Sequence, residues 1–144
     1  MFASTAVIED GQAMLVLGGR DQSHAHYTTN IVRPGQPTQP GPNMTEEANM
    51  HCSTPLLDGS VIITGGSRRS NPYGSARTEM LNLTTKEWSK LSNMRQRRLQ
   101  HSCTQVWLNP YDSQDDILKG LVTNTSVLGV VVAGGKKVIG MYNV

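Results

Sequence analysis

The chain has 144 residues and a formal net charge of +2, enough for one ordinary domain and too mild a charge to imply a nucleic-acid partner. Fourteen glycines and seven prolines against 37% apolar residues, with no sustained helical periodicity, point to many short strands joined by turns. The longest apolar run, around Val127 to Ala133, falls far short of the roughly 20 residues that cross a bilayer, which argues against a membrane partner.

In chain order, the first apolar stretch ends at Ile8, where Glu9-Asp10 cut it off, and it has no basic start. It does not read as a signal peptide, and a cytoplasmic location is the expectation that follows. Strands are expected at 2–8 and 12–18 around the Asp10-Gly11 turn, because Asp and Gly both tolerate the positive φ of a tight hairpin. The second of these ends at Gly18-Gly19, and a loop with His24-Ala25-His26 leads to a strand at 27–33. Pro34, Pro37, Pro40 and Pro42 then leave any fourth strand short or irregular, since proline is tolerated only at a sheet edge.

The pattern restarts with strands at 50–57 and 60–65 around Asp58-Gly59, ending at Gly65-Gly66, and continues at 76–83 and 86–91. A third round follows at 100–108, 127–134 and 137–144, with Gly134-Gly135 after its second strand and an Asp- and Pro-rich insertion from Asn109 to Asn124. A second marker keeps the same register: Met44 precedes His51 by seven residues, Met94 precedes His101 by seven, and the two sets lie 50 apart. Four antiparallel strands per repeat of about 50 residues describe the blade of a β-propeller.

These residues resemble the kelch family of propellers: the paired glycines, Trp88, Asn82, Arg98 three residues before His101, and Tyr142-Asn143 in the third unit. The resemblance implies an all-β fold of about three four-stranded blades, at about 1–45, 46–95 and 96–144, the last incomplete. Further blades or another chain would have to cover the open ends. Within it Gly18, Gly19, Gly65, Gly66, Gly134, Gly135, Trp88 and Tyr142 are structural positions. No Gly-rich stretch leads into a helix, so none is a phosphate loop.

Recurrence of His51 and His101 at one blade position points to a repeated structural hydrogen bond rather than to two catalytic bases. His24 and His26 on an extended segment can face one side, but no third ligand is evident, so no metal or other cofactor is expected. Cys52 and Cys103 read as small buried strand residues, with their redox state open. The sequons at Asn43, Asn82 and Asn124 leave secretion open, because chance accounts for much of their number.

Strand direction places Arg20, Arg68, Arg69, Arg95, Arg97, Arg98, Lys136 and Lys137 on one loop face, against Asp21, Glu46 and Glu47. The opposite face collects Glu9, Asp10, Asp58, Glu87, Asp112, Asp115 and Asp116. Kelch-type propellers bind partners through such faces, so the expectation is a non-catalytic protein-binding scaffold whose basic face takes an acidic or phosphorylated segment. The alternative, implied by the same resemblance, is a fragment of a galactose oxidase-like metal-dependent oxidoreductase. Those copper enzymes use a tyrosine crosslinked to cysteine with a second tyrosine and two histidines, a set that finds no residue-by-residue match here.

Overall fold

A computed structural model of the chain describes residues 3–70, 72–108, 127–135 and 140–143. Strands β1 (Ser4–Ile8), β2 (Ala13–Leu17), β3 (Thr29–Val32) and β4 (Gln39–Pro40) form one sheet in that order. Next come β5 (Cys52–Pro55), β6 (Val61–Thr64), β7 (Thr78–Asn82) and β8 (Glu87–Lys90), again paired in sequence. The third sheet holds β9 (His101–Leu108), β10 (Val127–Gly134) and β11 (Gly140–Asn143), and every pairing is antiparallel. The proline-rich stretch does yield a fourth strand in the first sheet, but only two residues long and at the edge, where a missing N–H removes no interior ladder bond.

The sheets are stacked through their first strands, with β1 against β5 and β5 against β9. One apolar layer fills the first gap: Ala6, Ile8, Leu15 and Leu17 from the first sheet meet Val61, Ile63 and Leu81 from the second. Another fills the second gap, where Leu56, Ile62 and Met94 meet Val130 and Val132. Alternate residues of β6 therefore point into different layers, and all four are buried, which explains an unbroken Val-Ile-Ile-Thr where a half-exposed strand would alternate. On the far side of the first sheet, the cross-strand pair Val7 and Met14 stays 57% and 38% exposed, an apolar face with no sheet against it among the described residues.

The paired glycines tie each sheet to the next. Gly18 and Gly65 have φ of +55° and +63°, and a Cβ there would lie 2.4 Å from the Ala48 carbonyl oxygen and 2.6 Å from that of Arg98. Only glycine combines that left-handed backbone with so close an approach. The following residues use the proximity: Gly19 N–H donates to Ala48 O and Gly66 N–H to Arg98 O, both at 2.9 Å. The acceptors lie 50 residues apart, so one inter-sheet bond is repeated by the period visible in the sequence.

Candidate functional site

The innermost strands carry the first chemical feature. Cys52 on β5 and Cys103 on β9 form a disulfide, with Cα atoms 6.0 Å apart, so a covalent bridge joins two neighbouring sheets. Both cysteines do lie on strands, half-buried, and the bond settles the redox state that the sequence leaves open. Their separation is 51, one residue off the repeat, which places them on adjacent innermost strands without identical positions. That register was the available signal, and a count of two cysteines does not carry it. Thr54 Oγ1 donates to Cys103 Sγ at 2.8 Å, and Ser53 Oγ donates to the Thr5 carbonyl at 2.8 Å, so polar contacts continue the seam across to the first sheet.

His51 and His101 sit in the two seams at equivalent places. Each follows a residue with left-handed backbone, Met50 at φ 56° and Gln100 at φ 53°, a conformation uncommon outside glycine. His51 Nε2 lies 2.6 Å from Ser4 Oγ, and His101 Nε2 lies 2.8 Å from Thr64 Oγ1. Burial lowers the His51 pKa to about 3, helped by the charges of Arg77 and His101. Burial also lowers His101, to about 4, with Arg98 adding to the effect. Both rings are neutral at physiological pH.

Both shifts predict a specific pH dependence. In the unfolded chain the histidines take protons near pH 6.5, whereas in the folded chain they resist until about 3 and 4. Stability is therefore fully present above pH 6.5 and falls as pH drops toward the folded values, because the unfolded state then binds more protons. Each histidine contributes a slope of up to about 1.4 kcal/mol per pH unit. Urea unfolding followed from pH 7 to pH 5 should show this slope, and His51→Gln should reduce it. A flat profile in the parent chain would contradict the burial of the neutral rings.

A charged cluster marks the outer part of the seam between the first and second sheets. Glu46, from the connection between them, binds Arg68 Nη1 at 2.5 Å, Lys90 Nζ at 3.4 Å and Arg77 Nη1 at 3.6 Å. Burial alone would raise the Glu46 pKa, but the Arg68 guanidinium and the Lys90 ammonium outweigh it and hold the carboxyl below its ordinary value. Beneath lies a buried pair, Arg77 and Glu79, 3.4 Å apart and 7% and 1% exposed. Glu79 Oε1 also accepts the Thr45 hydroxyl, and Arg77 Nη1 donates to the Glu46 carbonyl at 3.2 Å. A cavity of about 690 Å³ opens over these groups, lined by Arg68, Arg97 and Lys90 among others.

The structure therefore redistributes the basic residues expected on one loop face. Arg68 and Arg97 line one cavity, but Arg68 already holds an internal carboxylate. Arg69 is exposed, with its backbone N–H donating to Glu47 Oε1, and Arg20 and Arg95 are exposed as well. Arg98 is a correction: it is 3% exposed and donates to the Gly134 carbonyl at 2.7 Å, so it joins the second and third sheets instead of facing a partner. Spacing alone does not separate a guanidinium that caps a buried carbonyl from one in water. Lys136, Lys137, Asp112, Asp115 and Asp116 lie outside the described residues.

Other expected positions are placed as follows. Trp88 packs on the first apolar layer, with its Nε1–H donating to the Pro42 carbonyl at 2.9 Å, so it bridges the first two sheets. Tyr142 lies on β11 opposite Val130. His26 pairs with Asp21 at 3.2 Å and His24 Nδ1 contacts Ser23 Oγ at 2.8 Å. Among the described residues no group of three or more His, Cys, Asp or Glu side chains could hold a metal ion.

Sheets stacked through their innermost strands, each antiparallel and joined in sequence, define an all-β protein of the propeller type. The fold is similar to that of a fungal alcohol oxidase of the AA5 family solved in complex with copper, with a TM-score of 0.67 at 11% identity over 94% of this chain. The chain spans 27% of the length of that structure. No family model matches the chain, and no curated protein matches it. The likeness shows the fold, and it corrects the expectation of a non-enzyme: the matched propeller belongs to a copper alcohol oxidase.

Proposed function

We propose that this chain is part of the propeller of a galactose oxidase-like, metal-dependent oxidoreductase, in which its sheets form a rigid wall of the scaffold. The observation that carries this reading is the likeness to the fungal alcohol oxidase across 94% of the chain. The exposed apolar pair Val7 and Met14 supports it too, since a further sheet packed there would bury them as Val61 and Ile63 are buried in the second sheet. Copper would supply the redox chemistry of such a protein. The described residues do not fit a copper centre, because both cysteines are joined to each other and His51 and His101 are held by hydroxyls in separate seams. Their work is positional: the disulfide, the histidines and the glycine-linked N–H bonds hold neighbouring sheets in fixed register.

The disulfide also bears on the compartment. Such bonds persist in oxidising surroundings and are rare in the cytosol, which supports a secretory or extracellular setting in place of the cytoplasmic one expected from the N-terminus. The functional reading is tested by metal analysis and alcohol-dependent dioxygen consumption. A protein carrying this chain within a closed propeller should hold copper stoichiometrically and consume dioxygen when given an alcohol, and the 144-residue chain alone should do neither. A closed propeller without copper and inert toward alcohols would overturn it.

A further inference from the structure

We propose that Asn43 and Asn82 are N-glycosylation sites that shield the outer edges of the first two sheets. Both head a sequon, Asn43-Met44-Thr45 and Asn82-Leu83-Thr84, and both side chains are exposed. Asn49 is the contrasting case: it is buried, its Nδ2 and Oδ1 are both bonded to Ser67, and it heads no sequon. An oxidised cysteine pair gives independent reason to place the chain in the compartment where such transfer happens.

Local geometry leaves the reacting atom available. Asn82 ends β7 at the hairpin into β8, and its Oδ1 accepts the N–H groups of Thr84 and Thr85 at 2.9 and 3.1 Å. That bonding occupies the carbonyl and leaves Nδ2 to be substituted. In the transfer, Nδ2 bonds to C1 of the first sugar of a lipid pyrophosphate-linked oligosaccharide. The bond from C1 to the pyrophosphate oxygen breaks, the lipid pyrophosphate leaves, and one amide proton passes to a base of the transferase. Asn43 lies just past β4, the outermost strand of the first sheet, and Asn82 pairs with Glu87 of β8, the outermost strand of the second. A strand edge presents unpaired N–H and C=O groups that recruit other chains, and a bulky hydrated group beside it blocks that pairing.

The two sites call for different knock-outs. At the first, Asn43→Gln is suitable, because Thr45 Oγ1 is bonded to buried Glu79 and its loss would disturb the fold. At the second, Thr84→Ala is suitable, because it keeps the Asn82 carbonyl that shapes the turn. The chain is secreted from a eukaryotic host, treated with a glycan-removing amidase in heavy-oxygen water, and mapped by peptide mass spectrometry under non-reducing conditions. The expected result is heavy-oxygen aspartate at positions 43 and 82, with each substitution removing its own label alone while the Cys52–Cys103 bond is kept. Secreted, disulfide-bonded chain whose Asn43 and Asn82 peptides contain ordinary asparagine would overturn the proposal and leave the oxidoreductase reading untouched.

Discussion

Replacing Cys52 and Cys103 together with serine is expected to lower the unfolding free energy by about 4 kcal/mol, the chain-entropy value for a closed loop of this length. The bond closes a separation of 51 residues and joins β5 to β9, so its loss frees two sheets from each other in the unfolded ensemble. Serine keeps the side chains small, and Thr54 Oγ1, which now donates to Cys103 Sγ, retains an acceptor. Urea unfolding with and without reductant is the measurement. The parent chain should shift to the midpoint of the double variant when reduced, and the variant should ignore the reductant. If the parent is equally insensitive and both cysteines alkylate before reduction, the thiols are free and the covalent link between sheets is absent.

Glu79→Ala is expected to cost about 3–5 kcal/mol, because it leaves the Arg77 guanidinium buried without its closest buried countercharge. Arg77 keeps a longer contact to Glu46 at 3.6 Å, so the loss should fall toward the lower end of that range. Glu79→Gln should cost less, since it preserves an acceptor for the Thr45 hydroxyl. Replacing Arg77 and Glu79 together by Met and Leu should be milder than the sum of the single substitutions, as a well-packed apolar pair needs no desolvation of charge. Thermal or urea denaturation of the parent, Arg77→Met, Glu79→Leu and the double variant tests this, with Glu79→Ala and Glu79→Gln measured alongside. Additive losses would mean that the two side chains do not act as a pair.

Much of the fold was legible in the sequence because its repeat is written in backbone requirements. The paired glycines mark where one sheet donates N–H groups to the entry of the next, at Ala48 and Arg98, and no other residue type tolerates both that φ and that approach. The third sheet's second strand was expected at 127–134 and is Val127–Gly134, since an aliphatic run closed by Gly-Gly admits few other readings. The edge strand Gln39–Pro40 was less legible, because proline spacing shows that a strand is weak without showing where two residues still pair.

By itself the sequence determined the all-β class, the period and the register markers, because strand alternation, turn chemistry and glycine backbones are local properties of the chain. Tertiary structure decided which polar groups meet. The fates of Arg68 and Arg98 and the union of Cys52 with Cys103 depend on contacts between distant parts of the chain, across 22 to 51 residues in the bonds to Glu46, Gly134 and Cys103, and for the local pair Arg77 and Glu79 packing decides the burial. Charge and reactivity belong to such pairs. A guanidinium in water and one buried against a carbonyl are the same letter in the sequence, and only the packing of neighbouring sheets separates them.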